Sequence, residues 1–221
     1  DRPIHSTIIN KWSQDIFENK IPETSRKRNY MEYNAIAALY PDYDHSVPFW
    51  DRVFKLGFKG ILLDCETKRK TMSLDEKQEA FFEGIKITYS AIVKFVHRLE
   101  KLASETAGSE KMAKALSNIA ENPPATFYEC LFIDYIYFML SEHIEGLQVR
   151  SLCNFDRIFY PYYVNDIKNG VTEEEIRQDL AYFFLQFTAI GNYWNQPVFL
   201  GGCKEDETTE INELSYLFLD V

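Results

Sequence analysis

One stretch of the chain decides the fold: residues 151–163 read Ser-Leu-Cys-Asn-Phe-Asp-Arg-Ile-Phe-Tyr-Pro-Tyr-Tyr. The segment Leu147–Leu152, which leads into it, predicts a short strand, and a helical pattern follows over Phe155–Lys168. Pro161 lies inside that pattern, so we expect the Tyr160–Tyr163 cluster to end or kink the helix and to pack aromatic rings. The stretch therefore predicts a strand that passes directly into helical structure.

The rest of the chain is mainly helical in pattern. Only one further strand is predicted, over Pro197–Leu200, and it ends at Gly201-Gly202. Capping boxes at Ser73–Glu76 and Thr172–Glu175 mark two helix starts, and the long helix after the first box carries an apolar face from Phe81 to Leu99. The predicted helices are Ser6–Asn19, Tyr30–Leu39, Phe49–Ile61, Ser73 to about Thr106, Lys111–Glu121, Phe127–Leu140 capped by Thr126, Thr172 to about Ile190, and a last helix from Thr208 or Thr209 to the end.

The composition indicates a large, deeply buried interior. Hydrophobic residues make up 46% of the 221 and aromatic residues 15%, whereas only 9 are glycine, which disfavours a turn-rich all-β fold. A net charge of -10 disfavours nucleic acid as a partner, since cations bind phosphates. The most apolar run, Phe127–Leu140, is too short and too charged to span a bilayer, so no membrane partner is expected.

The cysteines indicate the compartment. Cys65, Cys130, Cys153 and Cys203 are far apart and form no CxxC pair, so neither a zinc site nor a disulfide framework is expected. No signal peptide opens the chain. The sequence therefore predicts a protein of the reducing cytoplasm.

The stretch 151–163 resembles a motif of the glycyl radical enzymes, the family of pyruvate formate-lyase and of the coenzyme B12-independent diol, glycerol and hydroxyproline dehydratases. The family pattern is Ser, then Phe-Asp, then Tyr-Pro-Tyr-Tyr and an acidic residue. Here these are Ser151, Phe155-Asp156, Tyr160–Tyr163 and Asp166.

Three further stretches carry the same resemblance, and all four lie in family order. Gly201-Gly202 followed by Asn212–Tyr216 is similar to the family's Gly-Gly and Asn-Glu-Leu-Ser-Tyr. His45 followed by Gly57–Ile61 resembles the dehydratase branch, and Pro124–Leu131 is similar to Pro-x-Thr-Phe-x-Glu-Ala-Leu. The resemblance implies an α/β fold: a mainly helical fragment of the ten-stranded glycyl radical enzyme barrel, with few strands.

By this resemblance residues 1–221 are expected to form part of a pyruvate formate-lyase-like domain. The family's Arg-Val-x-Gly radical loop is not in the sequence, so we expect an internal fragment that lacks the radical glycine domain. Two family glycines are also replaced. The Gly-Arg usually found before Phe-Asp is Cys153-Asn154, and the Gly of the family's Asp-Gly is Glu207.

The resemblance implies radical chemistry. Such enzymes store a radical on a backbone glycine and pass it to a cysteine, whose thiyl form abstracts a hydrogen from a small-molecule substrate in a dry site. A separate activating enzyme with S-adenosylmethionine and an iron–sulfur cluster installs the radical, so no bound cofactor or metal is expected here. A homodimer is the expected assembly.

Neither the radical glycine nor the thiyl cysteine is assigned in this chain. Gly202-Cys203-Lys204-Glu205 resembles the family's Gly-Cys-x-Glu thiyl loop. The Asn212–Tyr216 motif downstream, however, places this Gly-Gly in an earlier strand–turn–helix motif of the family.

His45 is the candidate catalytic residue. It lies in a loop between Pro41 and Pro48, where the dehydratases place a histidine against a substrate hydroxyl. A histidine there could hydrogen-bond the hydroxyl and help it to leave as water. The alternative is a capped or solvated histidine.

Five further residues are candidates for substrate binding. Glu145 and Arg150 could hold a substrate ammonium or carboxylate, unless they form a surface ion pair. Ser151 matches the family motif and could contact the substrate or cap the strand end. Asn195 and Gln196 follow two aromatic residues and suit a pocket wall, or else a loop packed under helices.

The resemblance thus predicts a glycyl radical lyase of the dehydratase type, which eliminates water from a small hydroxylated substrate. Other chemistry of the family stays open, namely pyruvate formate-lyase (formate C-acetyltransferase) activity, decarboxylation or C–N cleavage. A truncated, non-catalytic fragment is the third alternative, because the radical loop is absent.

Overall fold

The computed structural model describes residues 47–141, 151–190 and 197–221. These residues form helices α1 (Trp50–Thr71), α2 (Glu76–Ser104), α3 (Glu110–Glu121), α4 (Phe127–Leu140), α5 (Phe155–Ile158), α6 (Tyr160–Lys168), α7 (Glu173–Ile190) and α8 (Glu213–Asp220), and strands β1 (Cys153–Asn154) and β2 (Val198–Phe199). The expected mainly helical α/β structure with few strands is confirmed. None of the described helices has the length and apolar character needed to cross a membrane.

The predicted helices are confirmed over the described residues, but several boundaries are wrong. The first continues past Ile61 to Thr71. Asp75 rather than Ser73 caps α2, because its side chain accepts the backbone N–H of Gln78. The helix predicted over Phe155–Lys168 is two helices that meet at Phe159. The predicted helices Ser6–Asn19 and Tyr30–Leu39 lie outside the described residues.

The last helix begins at Glu213 and not at Thr208 or Thr209. A hairpin precedes it: the Glu210 N–H donates to the Gly202 carbonyl over 2.9 Å, and the Lys204 N–H donates to the Thr208 carbonyl over 2.9 Å. These bonds use backbone groups that a helix would need for itself. The helix starts only after the hairpin, where Asn212 supplies a capping box.

Helix α4 forms the centre of the core. Residues on all its sides are buried, as expected for a helix that is apolar all round. Thr126 caps it, and the Glu129 carboxylate returns to accept the backbone N–H groups of Ala125 (2.6 Å) and Thr126 (3.3 Å). The predicted buried core helix and its Thr126 cap are therefore confirmed.

An aromatic cluster joins α4 to α1 and to the helices after β1. The ring centroid of Phe159 lies 4.0 Å from that of Phe155, 5.1 Å from that of Phe54 and 5.8 Å from that of Phe127. Each such pair contributes about 0.5–1.5 kcal/mol beyond the burial of its area. The stretch 151–163 is thereby fixed to the helical core.

Gly57 kinks α1 where the helix meets the end of α3. Its φ is 65° and its ψ 177°, a conformation that is essentially restricted to glycine. A Cβ atom there would lie 2.7 Å from the Asn122 carbonyl oxygen and 3.0 Å from the Pro123 Cα. The Gly-Phe-x-Gly resemblance therefore begins at a residue that both the backbone angle and the close approach require to be glycine.

We predict that Gly57→Ala lowers the free energy of unfolding by at least about 2 kcal/mol, since strain and a backbone clash add together. Urea unfolding followed by circular dichroism measures the change. The matched control is Gly84→Ala in α2, where a Cβ would meet nothing within 4 Å. The control should stabilise the helix by roughly 0.5–1 kcal/mol. Equal effects of the two changes would contradict this account of the kink.

Asp134 is a carboxyl group buried in the apolar part of α4. Its side chain is 0% exposed, and neither oxygen has a hydrogen-bond partner among the described residues. Burial raises the pKa of Asp134 well above its usual range, because a charge in this environment loses its hydration. The folded chain therefore binds a proton here that the unfolded chain releases above pH 3.8.

We predict that Asp134 makes the chain less stable as the pH rises from about 4 to 7, because the unfolded state gives up the proton more readily than the folded state. Relative to Asp134→Asn, the free energy of unfolding should fall by about 1.4 kcal/mol for each pH unit until the folded pKa is reached. Urea unfolding of both proteins across this range measures the difference.

Asp64→Asn provides a control of opposite sign. A hydrogen bond from Lys68 lowers the pKa of Asp64 on the exposed side of α1, so Asp64 adds stability above pH 3.8 and loses it as the pH falls. A stability difference between the wild type and Asp134→Asn that does not vary with pH would show that Asp134 is not protonated in the folded chain.

Candidate functional site at the paired strands

The strands β1 and β2 pair in parallel, with Cys153 opposite Val198 and Asn154 opposite Phe199. The Leu152 N–H adds a bond of 2.9 Å to the Pro197 carbonyl. Two strands were predicted in these regions, and the second lies within Pro197–Leu200 as expected. The first was predicted over Leu147–Leu152, of which residues 147–150 lie outside the described residues, and β1 at Cys153–Asn154 directly follows the predicted stretch.

Ser151 connects the residues that directly precede the two strands. Its hydroxyl accepts the Cys153 N–H over 2.9 Å and donates to the Pro197 carbonyl over 3.3 Å. A side chain that bonds to its own backbone two residues on replaces part of the regular ladder. The structure thus places the buried Ser151 at the strand end, holding the first strand to the residue that precedes the second.

Asp156 lies at the other end of the strand pair and is completely buried. Its Oδ2 accepts the Gly201 N–H over 2.6 Å and the Ser215 hydroxyl over 2.5 Å. The Asn212 side-chain amide donates to the Asp156 carbonyl over 3.0 Å. The Phe-Asp motif therefore binds directly to the Gly-Gly and Asn-Glu-Leu-Ser motifs, a link that sequence reasoning missed.

Two more contacts connect the same motifs at the surface. The Tyr160 hydroxyl donates to the Glu213 carboxylate over 2.6 Å, which raises the pKa of Tyr160 and lowers that of Glu213. Arg157 forms an ion pair with Glu210. The first contact attaches the first turn of α8, and the second attaches the end of the preceding hairpin, to the helices that follow β1.

Asp166, the acidic residue of the first motif, joins a third segment. It is buried, and its Oδ2 accepts the Phe127 N–H over 2.9 Å at the start of α4. Burial raises the pKa of Asp166, and the bond from Phe127 opposes that effect. The acidic residues that carry the family resemblance thus act in the structure as joints between segments.

The two family glycines that this sequence replaces fall at strained positions. Cys153 has a φ of 59° and Glu207 a φ of 64°, and these are the only non-glycine residues with positive φ in the described part of the chain. An L-residue in this region costs roughly 1–2 kcal/mol more than glycine. The backbone therefore keeps the conformation that the family's glycines suit, although the side chains have changed.

Most of the candidate site residues lie outside the described residues: His45, Glu145, Arg150, Asn195 and Gln196. Ser151 is the candidate that the structure describes, and it lies between the two strands. Cys203, which was not assigned as catalytic, is exposed on the hairpin before α8. Within the described ranges no group of three or more His, Cys, Asp and Glu side chains could hold a metal ion.

Comparison with known proteins gives the chain its relatives. A family model described as pyruvate formate lyase-like matches residues 2–221. The isethionate sulfite-lyase of Oleidesulfovibrio alaskensis is 29% identical over 204 residues, which cover 77% of this chain and 24% of the relative. The glycyl radical subunit of 4-hydroxyphenylacetate decarboxylase from Clostridioides difficile is 28% identical over 149 residues, covering 61% of this chain and 16% of the relative.

Solved structures show the same fold. The glycerol-bound B12-independent glycerol dehydratase of Clostridium butyricum matches with a TM-score of 0.74 at 20% identity, over 94% of this chain and 30% of that one. A glycyl radical enzyme from Archaeoglobus fulgidus matches with a TM-score of 0.71 at 22% identity, over 80% and 26%. The chain thus spans less than a third of the length of each of these relatives.

We predict that Glu207→Gly raises the free energy of unfolding by roughly 0.5–1 kcal/mol, because it removes left-handed strain at an exposed position at some cost in backbone entropy. Cys153→Gly should change the free energy of unfolding less, because the relief of strain is offset by the loss of the half-buried side chain that packs against the core. Urea unfolding measures both.

The control is Glu205→Gly in the same exposed hairpin, where φ is not positive. Glycine at residue 205 relieves no strain and only increases the conformational entropy of the unfolded chain, so it should lower the free energy of unfolding by up to about 1 kcal/mol. If glycine at residues 205 and 207 changed stability by the same amount, the strain assigned to Glu207 would be absent.

Proposed function

The chain belongs to the pyruvate formate lyase-like family, and on that premise we propose that it lines part of the substrate pocket of a glycyl radical lyase. The reaction that we propose is of the dehydratase type, the elimination of water from a small hydroxylated substrate. Residues 1–221 form part of the pyruvate formate-lyase-like domain of a longer enzyme in this proposal, since the chain spans 24% or less of the two curated relatives.

One observation carries the proposal: Ser151 bonds to Pro197 across the strand pair. Arg150 and Gln196 are the residues immediately before these two, and consecutive Cα atoms lie about 3.8 Å apart. Ser151, the last residue of one segment that the sequence nominates for substrate binding, therefore contacts Pro197, the residue that directly follows the other, at one end of the strands. Convergent polar groups from separate segments are typical of a small-molecule site.

Each candidate has a role in this proposal. Arg150 and Glu145 hold a charged substituent of the substrate, and the amides of Asn195 and Gln196 orient its hydroxyl groups. Ser151 keeps these segments together and leaves one lone pair of its hydroxyl for the substrate. His45 hydrogen-bonds the hydroxyl that departs and donates a proton to it, so that it leaves as water.

The radical glycine and the thiyl cysteine come from outside residues 1–221 in this proposal, and they supply the abstraction of a substrate hydrogen that makes the elimination possible. The aromatic core of this chain contributes to a dry site, which protects the glycyl and thiyl radicals from water. A separate S-adenosylmethionine-dependent activating enzyme as partner, a homodimer and a cytoplasmic location complete the proposal.

A second reaction class is favoured by the names of two relatives. The curated proteins that resemble this chain include a decarboxylase subunit and a sulfite-lyase. The solved structures of the glycerol dehydratase and of a hydroxyproline dehydratase agree with this chain in fold at 20% and 17% identity. Decarboxylation or C–S cleavage at the same pocket is therefore the alternative to dehydration.

Product analysis separates these reactions. The full-length gene product, activated anaerobically, is incubated with vicinal diols, trans-4-hydroxy-L-proline, isethionate and 4-hydroxyphenylacetate, and the products are identified by mass spectrometry. We expect the product of water loss from a hydroxylated compound. Carbon dioxide or sulfite instead would establish the alternative and refute the dehydratase assignment.

We predict that His45→Ala lowers kcat at least about 100-fold, because general acid catalysis contributes roughly 100- to 10,000-fold. His97→Ala is the matched control, since His97 lies exposed on α2 and bonds only to Glu100 and Glu121 among the described residues. This control should keep kcat within about twofold. Full activity of His45→Ala would remove His45 from the catalytic site.

A further inference from the structure

We propose that Asp156 is the positioning residue of the strand pair, which keeps Ser151, the candidate substrate-binding residue that the structure describes, in place beside Pro197. Its contacts, its burial and the shortness of the strands point to this role. The consequence for substrate binding rests on the proposed function, whereas the joint itself does not.

Two segments converge on the carboxylate of Asp156. The Gly201 N–H and the Ser215 hydroxyl donate to the same oxygen, Oδ2, from the turn after β2 and from the first turn of α8. Asn212 donates to the backbone carbonyl of Asp156. Hydrogen bonds that a buried carboxylate accepts are stronger than those between neutral groups.

Close packing leaves the turn after β2 little freedom. Gly201 has a φ of 66°, and a Cβ there would lie 2.8 Å from the Ile211 side chain. The segment before α8 therefore packs against the turn that Asp156 binds. A displacement of Gly201 from Asp156 would require Ile211 and the start of α8 to move as well.

The strands themselves have only two residues each. A ladder this short contributes little stability and does not define its own register. A slip of one residue would turn every side chain to the opposite face. Ser151 fixes the pair at its amino end and Asp156 fixes it at the carboxyl end, so the register is set by these two side chains.

The second oxygen of Asp156 also distinguishes the residue. Oδ1 is buried and has no hydrogen-bond partner among the described residues. Leaving a buried acceptor unpaired destabilises the folded state. A residue that served only stability would have both oxygens paired. Asp156 instead leaves Oδ1 unpaired and places Oδ2 where the Gly201 N–H and the Ser215 hydroxyl both reach it, as a positioning role requires.

The test compares two buried aspartates in the full-length gene product. Asp156→Ala removes the joint at the strands, and Asp166→Ala removes a similar buried acceptor, which binds the Phe127 N–H at the start of α4 instead. Hydrogen–deuterium exchange is measured on residues 197–202 and on residues 125–131. We expect Asp156→Ala to speed exchange in residues 197–202 about tenfold, the loss expected for one strong hydrogen bond.

The control should give the reverse pattern, with faster exchange in residues 125–131 only. Asp156→Asn keeps an acceptor oxygen and should restore much of the slow exchange in residues 197–202. Unchanged exchange there in Asp156→Ala, or an equal rise in both regions, would overturn the proposal. If Asp156→Ala does not fold, Ser215→Ala removes one donor and should give the same pattern at smaller amplitude.

The kinetic arm uses Asp156→Ala and Asp166→Ala at a temperature where both are folded. Asp156→Ala should raise KM about tenfold or more with a smaller change in kcat, because a displaced Ser151 weakens substrate contacts, and Asp156→Asn should restore much of the lost affinity. Asp166→Ala should leave both constants within about threefold. Altered exchange with unchanged kinetics would leave Asp156 as a joint and refute its positioning role.

The two proposals fail separately. If the wild-type enzyme turns over none of the compounds, the proposed function fails, and the exchange pattern alone decides whether Asp156 holds the strands. If turnover is present and Asp156→Ala exchanges like the wild type, the proposed function stands and the positioning role is wrong.

Discussion

A single buried carboxylate oxygen holds the candidate site together. Oδ2 of Asp156 accepts hydrogen bonds from Gly201 and Ser215, so that three segments distant in sequence meet at one atom. The two short strands could not keep their relative position alone. Helix α8 would also lose the Ser215 bond, one of its contacts with the region after β1. The placement of Ser151 beside Pro197, and with it the proposed pocket, depends on this joint.

Other motif residues serve the same purpose by the same chemistry. Glu129 and Asp166 are buried acids, and each accepts main-chain N–H groups around the start of α4. A helix start leaves such donors unpaired, so a nearby carboxylate satisfies them and fixes the segment. Gly57 fixes a contact between segments in a different way, because only a residue without a side chain lets α1 approach the backbone of Asn122 and Pro123 so closely. Residues of this kind identify a fold and say little about a reaction, and for this reason the family is established while the substrate remains a proposal.

The helical part of the fold is well predicted from the sequence because caps and periodicity are local signals. Thr126 and Thr172 cap helices where expected. Burial is harder to predict, since Phe81 lies on the predicted apolar face of α2 yet is 66% exposed, whereas Val96 is 0% exposed. Periodicity identifies the apolar face of a helix, but it does not show how much of that face the neighbouring helices cover. The hairpin after Gly202 was missed because its bonds lie within a polar segment that carries no strand pattern.

The candidate site was only partly predictable. Ser151 could be nominated from a motif, but its bond to Pro197 joins residues far apart in the sequence, and no periodicity reports such a contact. The joint at Asp156 left a usable signal, because Phe-Asp and Asn-Glu-Leu-Ser both belong to the family pattern. The replaced glycines left another: Cys153 and Glu207 both have positive φ. A departure from a family glycine can thus mark a left-handed backbone conformation in the sequence itself.

Electron paramagnetic resonance tests the central claim most directly, namely that this chain belongs to a glycyl radical lyase whose radical glycine lies outside residues 1–221. Full-length gene product and the 221-residue chain are each treated anaerobically with activating enzyme and S-adenosylmethionine. We predict a glycyl doublet in the full-length product and none in the chain. A doublet in the 221-residue chain, or none in the full-length product, would contradict the claim.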